Sequence, residues 1–297
     1  MERKTAADFH PEALQQFDRY VHGDITRRDF LSSVPKYALL GLSAEALLEA
    51  LNPRFAEAQQ VPKDDPRLKA SYVEYPSPKG NGKIRGYLVQ PVNAKGKLPT
   101  VLVIHENRGL NPHIEDITRR LALQNFIAFA PDALFSLGGY PGDEDKAREL
   151  FQKLDKAKTQ ADFLAAAKVL KKLLQGNGKV GAVGFCYGGG IVNYLATQLP
   201  DLAAGVPFYG AQPPVEDVAK IQAPLLIHYA GIDDRINAGW SAYEEALKKA
   251  DVNYEAHVYP GVQHGFNNDT TPRYDAATAK LAWDRTIQFF NTYLRDS

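Results

Sequence analysis

Sulfur is scarce in this sequence: its 297 residues include one cysteine and one methionine. A single cysteine excludes an internal disulfide and any zinc or iron–sulfur site built from several thiolates. Net charge is also lacking, because 35 Lys and Arg residues balance 35 Asp and Glu residues. A neutral chain has no general attraction for phosphate backbones or anionic lipid, so we expect neither nucleic acid nor a membrane surface as a partner.

Long apolar runs are absent from the N-terminal segment, residues 1–58. Its longest uncharged run, Tyr37–Ala44, is far shorter than the roughly 20 residues that cross a bilayer. Residues 26–31 read Thr-Arg-Arg-Asp-Phe-Leu, which resembles a twin-arginine export signal. Residues 56–58 (Ala-Glu-Ala) have the small-x-small form of a signal-peptidase site. This interpretation predicts export to the periplasm by the twin-arginine machinery and a mature chain that starts near Gln59.

The same segment also allows an amphipathic helix that stays on the chain. Glu45 and Glu49 lie opposite one apolar helical face. That face is formed by Leu40, Ala44, Leu47, Leu48 and Leu51. In this alternative the protein is cytoplasmic and residues 1–58 pack on the main domain or on a partner. Both alternatives remain open at the level of the sequence.

Short apolar runs and helical segments alternate through residues 59–297. The predicted strands are Ser71–Pro76, Lys83–Val89, Thr100–Ile104, Phe126–Ala130, Val180–Phe185, Ala204–Phe208, Leu225–Tyr229 and Tyr254–Tyr259. The helical segments are 113–124, 144–175 (two helices), 188–198, 240–250 and 275–294. Strands that are apolar on both faces are typical of parallel sheets covered by helices. The pattern predicts one α/β domain with a mostly parallel, doubly wound, eight-stranded sheet, its first two strands antiparallel, and helices on both faces.

The lone cysteine, Cys186, follows the fifth predicted strand in the sequence Gly-Phe-Cys-Tyr-Gly-Gly-Gly, residues 184–190. This is the glycine-flanked nucleophile elbow between a strand and a helix, with cysteine in place of serine. A helix N-terminus behind the sulfur favours a thiolate. The backbone N–H of Tyr187 is the first candidate for an oxyanion hole. The alternative to a nucleophile is a structural role, in which Cys186 is a small hydrophobic residue buried in a turn.

Two further strand ends carry an acid and a histidine. Asp233 and Asp234 follow the seventh strand, and His264 lies in a Gly-flanked loop after the eighth. We prefer Asp233 as the acid because that choice turns Ile236 inward. Nucleophile, acid and histidine in this chain order are typical of α/β-hydrolases and predict a triad of Cys186, His264 and Asp233.

The third predicted strand is followed by His105-Glu-Asn-Arg-Gly-Leu110, residues 105–110. This fold draws its second oxyanion donor from that position, so the N–H of Asn107 is our candidate. Glu106, placed beside a reactive thiol, would either hold the thiol protonated by repelling a thiolate or accept its proton. The alternative is a simple ion pair of Glu106 with Arg108.

Together these motifs resemble the dienelactone hydrolase family over about residues 70–295. The motifs are the elbow around Cys186, Glu106, Ala130-Pro-Asp132, Asp233 and residues 263–266 (Gln-His-Gly-Phe). The resemblance implies an α/β-hydrolase that cleaves enol-lactones and small esters without a cofactor. By resemblance, Cys186 is the nucleophile, His264 the general base and acid, Asp233 the residue that orients it, and Glu106 the carboxylate that contacts the resting thiol.

This sequence departs from the family where two arginines grip the substrate carboxylate. Those places fall at or near Ser136 and at Asn268. We therefore expect a substrate other than dienelactone itself, unless Arg108 or Arg273 replaces the missing guanidinium groups. The predicted pocket residues are Arg108, Phe135, Tyr140 and Trp240. We predict no metal, since His10, His22 and His113 lack partners at metal-ligand spacing; the chain is either a monomer or a homodimer.

Two rival functions remain. One is a broader carboxylesterase or peptidase-like hydrolase, which would turn over peptide amides or long acyl chains. The other is a non-catalytic binding module on the same fold, in which Cys186 would not react with iodoacetamide at neutral pH. Small esters and lactones fit best, because a thiolate suits good leaving groups.

Overall fold

The computed structural model describes residues 4–34, 43–54 and 59–295. The eight strands are β1 Leu68–Ser77, β2 Gly82–Pro91, β3 Leu98–Ile104, β4 Ile127–Pro131, β5 Gly176–Phe185, β6 Ala204–Phe208, β7 Leu225–Ile232 and β8 Tyr254–Gln263. The α-helices in the described ranges are α1 Pro11–His22, α2 Arg27–Ser33, α3 Ala44–Leu51, α4 Pro112–Leu123, α5 Glu144–Gln152, α6 Lys156–Lys171, α7 Tyr187–Gln198, α8 Asp234–Asn237, α9 Trp240–Lys249 and α10 Ala276–Leu294.

One sheet holds all eight strands in the order β1-β2-β4-β3-β5-β6-β7-β8. β1 pairs antiparallel with β2, and β2 with β4, whereas every other neighbouring pair is parallel. The predicted doubly wound, mostly parallel sheet is confirmed. The strands begin and end within a few residues of their predicted bounds. Continuous apolar runs correctly mark β3, β4 and β6 as covered on both faces, whereas the edge strands β1 and β8 are largely exposed or half-buried.

Helices cover both faces of the sheet, each with its own apolar layer. Side chains of α4 and α10, such as Ile117 and Phe290, pack on one face. Side chains of α6, α7 and α9, such as Phe163, Leu195 and Leu247, pack on the other. Because the strands from β3 onward are parallel, their carboxyl ends lie at the same edge of the sheet, where sites in this architecture are found.

The N-terminal helices α1 to α3 form a third apolar cluster. Phe17, Tyr20 and Phe30 are almost fully buried in it, and the leucines of α3 are buried in the same cluster. Thr26 caps α2 through a capping box with Asp29. The twin-arginine motif therefore lies at the start of a folded helix. Two parts of the export prediction, residues 37–42 of the uncharged run and the cleavage motif at 56–58, lie outside the described residues.

No helix in the described ranges combines the length and the hydropathy required to cross a bilayer.

Candidate active site

Backbone sterics explain the glycines around Cys186. A Cβ on Gly184 would lie 2.1 Å from the carbonyl oxygen of Gly188, and one on Gly188 would lie 2.2 Å from that of Ile104. Cys186 itself has φ of 55° and ψ of −113°, a conformation that L-residues rarely adopt. The strand and helix thus approach so closely that only glycine fits, and the turn presents the sulfur at the start of α7.

The N-terminal end of α7 faces the sulfur. The first intrahelical bond runs from the N–H of Gly190 to the carbonyl of Cys186, at 3.2 Å. The N–H of Tyr187 belongs to the first turn and has no acceptor within the helix. It is therefore available to a developing negative charge. The helix dipole adds positive potential at the same place.

His264 and Asp233 form a tight pair. The Nδ1 atom of His264 lies 2.6 Å from Oδ2 of Asp233, and both side chains are buried. The other carboxylate oxygen of Asp233 accepts from the N–H of Ile236 at 3.3 Å, which fixes the carboxylate at the start of α8. Ile236 is buried, as the choice of Asp233 over Asp234 requires. Among the residues that the structure describes, Nε2 of His264 has no hydrogen-bond partner.

The sulfur of Cys186 has an unexpected neighbour in His22, the last residue of α1. Its Nε2 atom lies 3.2 Å from Sγ, and its ring meets that of His264 edge-on at 4.8 Å between centroids. Donor atoms of His22, Cys186 and His264 all lie within 4.8 Å of one another. The sequence analysis did not place His22 at the site, because Cys186 and His264 lie far from it along the chain. The absence of a metal stays a prediction.

Glu106 lies at the same end of the sheet, and its Oε2 accepts from Nδ2 of Asn268 at 2.7 Å. Both residues line a small cavity together with Cys186 and His264. The residue at the place of one missing arginine therefore holds the carboxylate that the sequence singles out. Arg108 is buried nearby, but its Nη1 donates to Oδ1 of Asn107 at 2.7 Å. Burial lowers the pKa of Arg108.

The side chain of Asn107 holds the N-terminal segment in place. Its Nδ2 donates to the carbonyl of Val21 at 2.6 Å, one residue before His22. Arg273 also contacts α1. Its Nη1 lies 3.0 Å from Oδ1 of Asp18, and its guanidinium lies over the ring of Phe17. Two residues that the sequence assigns to the site thus also contact α1.

A cavity of about 870 Å³ opens beside the sulfur. Its lining includes Cys186, Tyr187, Asn107, His264 and residues 21–24 of the N-terminal segment. The remaining lining comes largely from α5 to α7, the loop after β6 and Arg235. The space is sufficient for a small-molecule ligand.

Three of the four predicted pocket residues line neither this cavity nor the smaller one beside Glu106. Phe135 packs under the guanidinium of Arg85, and the hydroxyl of Tyr140 donates to Glu144 at 2.6 Å. Trp240 packs against tyrosines of β7, β8 and α9. The fourth, Arg108, lines the smaller cavity.

Sequence reasoning overlooked Tyr209, which follows β6 directly. Its ring lies 4.9 Å from that of His264, and its hydroxyl is buried near the main chain of Asn267. Burial, with the charges of Glu106 and Cys186, raises the pKa of Tyr209 well above its usual value. The hydroxyl is therefore uncharged at neutral pH.

This sheet and its glycine-flanked elbow define an α/β-hydrolase. A family model described as "Dienelactone hydrolase family" matches residues 84–294. The chain therefore belongs to the dienelactone hydrolase family and is a hydrolase that acts on ester or lactone bonds. A second model, described as "YqhI-like", matches residues 1–36, the part that contains α1 and His22.

Individual relatives agree with the family. A "Putative carboxymethylenebutenolidase" of Synechocystis sp. is 36% identical over 248 residues, which cover 77% of this chain and 98% of that protein. A "Putative hydrolase fragment YghX" of Escherichia coli is 55% identical over 114 residues, 38% of this chain and 97% of that protein. A crystal structure named "Putative Dienelactone Hydrolase" from Klebsiella pneumoniae has a TM-score of 0.67 at 30% identity, covering 76% of this chain and all of that one.

Proposed function

We propose that the protein hydrolyses small esters or lactones through a thioester on Cys186, with His264 and Asp233 completing a triad. One observation carries the proposal. The sole sulfur nucleophile stands at a strained elbow beside an imidazole whose Nδ1 is held by a buried carboxylate at 2.6 Å. The order of the three residues along the chain adds further support.

The reaction proceeds in two steps. The sulfur attacks the ester carbonyl carbon, the carbon–sulfur bond forms, and the alcohol departs with a proton. Water then attacks the thioester, His264 takes a proton from that water, and the carbon–sulfur bond breaks to release the acid. Asp233 keeps Nδ1 of His264 protonated, so that Nε2 is the basic nitrogen. No cofactor is required.

The N–H groups of Tyr187 and Asn107 are the proposed oxyanion hole. The position of Tyr187 in the first turn of α7 supports the first assignment. The assignment of Asn107 stays a prediction from the place of residues 105–110 after β3.

Glu106 is proposed as a carboxylate that influences the resting thiol. Its hydrogen bond to Asn268 and its place in one cavity with Cys186 support this role. Since the sulfur itself contacts His22, Glu106 acts through its charge, which opposes a free thiolate until substrate neutralises or displaces it.

The natural substrate is proposed to lack the carboxylate of dienelactone. Arg108 and Arg273, the two arginines that could replace the family's pair, already contact Asn107 and Asp18. The names of the relatives support lactones and esters as the general class. A panel of lactones and short esters, with and without an attached carboxylate, tests this assignment.

We propose that residues 1–58 remain on the working enzyme. The burial of Phe30 and the packing of α1 at the site support the second alternative of the sequence, a retained helical segment. Export by the twin-arginine machinery stays a prediction, supported by Arg27 and Arg28. Intact-mass measurement of protein purified from its host decides whether the segment is present.

The triad is tested with Cys186→Ala and Cys186→Ser on p-nitrophenyl acetate. We expect Cys186→Ala to lose turnover and Cys186→Ser to keep a small fraction. Alkylation of wild-type Cys186 by iodoacetamide at neutral pH distinguishes the enzyme from a binding module. Unchanged turnover in Cys186→Ala would remove the proposal.

A further inference from the structure

We propose that His22 is a further catalytic residue, which takes the proton of the Cys186 thiol and leaves His264 free for the water step. The proposal rests on the proposed role of Cys186 as nucleophile. The observation behind it is the 3.2 Å contact between Nε2 of His22 and Sγ, made by a helix that precedes the main domain.

The hydrogen bonds of His22 fix which nitrogen carries its proton. Nδ1 lies 2.7 Å from the main-chain carbonyl of Asp18, which can only accept a hydrogen bond, so Nδ1 is protonated. Nε2 lies 3.0 Å from Nη2 of Arg235, which can only donate. The lone pair of the ring therefore lies on Nε2, the atom that faces the thiol. This is the tautomer that a base for the S–H proton requires.

Asp18 lies next to Nδ1 of His22, as Asp233 lies next to Nδ1 of His264. Oδ1 of Asp18 lies 3.4 Å from Nδ1, and the same carboxylate pairs with Arg273 at 3.0 Å. Burial would raise the pKa of Asp18, but the hydrogen bond to His22 and the charges of His264 and Arg273 hold it well below its usual value. Asp18 is therefore a carboxylate at neutral pH and stabilises a charged imidazole.

Two helix ends favour the charges that proton transfer creates. His22 is the last residue of α1, where the helix dipole is negative and favours an imidazolium. Cys186 stands at the start of α7, where the dipole is positive and favours a thiolate. The C-terminus of one helix thus meets the N-terminus of another across the sulfur–nitrogen contact.

The groups around His22 are balanced for an ion pair. Asp18 faces it from α1, Cys186 from the elbow, His264 from the loop after β8 and Arg235 from α8. Burial opposes a charged ring, yet the charge of Cys186 and the hydrogen bond to Asp18 raise the pKa of His22 above its usual value. Arg235 also lies near this carboxylate, with its Nε 3.7 Å from Oδ2 of Asp18, so Asp18 partly offsets the guanidinium charge beside the ring.

The proton balance of the two steps is then complete. In acylation, the S–H proton moves to Nε2 of His22, the thiolate attacks the carbonyl, and the departing alkoxide takes that proton from His22. In deacylation, Nε2 of His264, which has no partner among the described residues, takes a proton from water and returns it to the departing sulfur. The product acid releases one proton to the solvent.

The test separates acylation from deacylation. With p-nitrophenyl acetate in a stopped-flow instrument, the burst of p-nitrophenolate measures acylation and the later linear phase measures turnover. We expect His22→Ala and His22→Gln to lower the burst rate at pH 7 by at least about tenfold, since general bases contribute about 10²–10⁴-fold. Added imidazole should restore part of the rate in His22→Ala. The matched control is Gln15→Ala, an exposed residue of the same helix.

Alkylation gives a second readout that a merely structural role would not alter. In His22→Ala we expect iodoacetamide to modify Cys186 at least about tenfold more slowly than in wild type at pH 6–7, with the two rates converging at high pH, where thiols ionise unaided. Circular dichroism confirms that each variant is folded.

The outcomes distinguish this inference from the proposed function. If Cys186→Ala keeps its turnover, the nucleophile and the inference fail together. If Cys186→Ala is inactive while both His22 variants keep the wild-type burst rate and alkylation profile, only the inference fails. A faster burst in both His22 variants would also overturn it, because α1 would then merely obstruct the sulfur.

Discussion

Two aspartate–histidine pairs approach one sulfur from different parts of the molecule. Asp233 and His264 belong to the loops after β7 and β8, and the carboxylate bonds the ring directly at 2.6 Å. Asp18 and His22 belong to α1, where the shorter contact to Nδ1 comes from a main-chain carbonyl and the carboxylate is 3.4 Å away. The first pair is part of the sheet's framework. The second is present only while the N-terminal helices are docked.

The two histidines bring the same functional group to the sulfur, but different parts of the structure hold them in position. His264 directly follows β8, which pairs with β7 in the same sheet, so its position depends on the hydrolase domain alone. A helix anchored by a few polar contacts, such as Asn107 to the Val21 carbonyl and Arg148 to the Tyr20 hydroxyl, makes its histidine conditional on docking.

The largest expected effect belongs to His264. We expect His264→Ala to lower kcat on p-nitrophenyl acetate by on the order of a thousandfold or more, as loss of a triad member does. His257→Ala is the matched control, because that histidine lies on β8 and pairs with Glu255. A loss of less than tenfold in His264→Ala would place the main base elsewhere.

The next largest expected effect is a difference in kcat between variants of the two aspartates. Asp233→Asn is expected to lower kcat by on the order of a thousandfold, since an amide in this place no longer fixes the ring tautomer. Asp18→Asn should cost about tenfold or less, because the carbonyl of Asp18 still holds Nδ1 of His22. Steady-state kinetics on both variants measure the difference, and the reverse order would break the comparison.

A core substitution in the N-terminal cluster tests whether docking matters. Phe30 is fully buried there and does not line the cavity beside Cys186, so Phe30→Ala should destabilise the cluster by about 3–5 kcal/mol. We expect faster amide exchange in α1 and a burst rate that falls to the level of His22→Ala. Glu49→Ala, an exposed change on α3, is the control. A loosened α1 with an unchanged burst would separate docking from chemistry.

The smallest effect is a pH dependence of docking. The pKa of His22 is raised in the folded chain. Its contribution to the stability of docked α1 is therefore fully present below about pH 6.5 and is lost as pH rises through the folded pKa. The pKa of Asp18 is lowered, so its contribution is present above about pH 4 and is lost only as pH falls through its folded value.

Protection of the α1 amides, corrected for intrinsic exchange, should therefore be greatest between about pH 4 and 6.5 and decrease at higher pH. His22→Gln should abolish the decrease on the alkaline side. Protection that increases steadily with pH in wild type would contradict this assignment of charges.

Much of the hydrolase domain could be predicted because its signals are local. Apolar runs mark buried strands, and the close approach of Gly184 to Gly188 requires glycine at both positions. Asp233 and His264 directly follow strands whose carboxyl ends meet at one edge. The side chains at these positions are therefore brought together by topology alone.

The contact of His22 could not be predicted in the same way. It joins residues 164 positions apart, and it depends on how a separate helical cluster docks. The local signal was the spacing of Asp18 and His22, four residues apart at the end of a helix, which sets the acid beside the ring. The pocket was equally hard to predict, because Trp240 and Phe135 satisfy their apolar surface by packing away from the cavity.

Peptide mapping of the acyl-enzyme after rapid quenching tests the central claim most directly. With p-nitrophenyl acetate, we expect an acetyl group on the peptide that contains Cys186, accumulating in His264→Ala and scarce in His22→Ala. Turnover by the wild-type enzyme with no acetyl on Cys186, or with the acetyl on another residue in His264→Ala, would contradict the account.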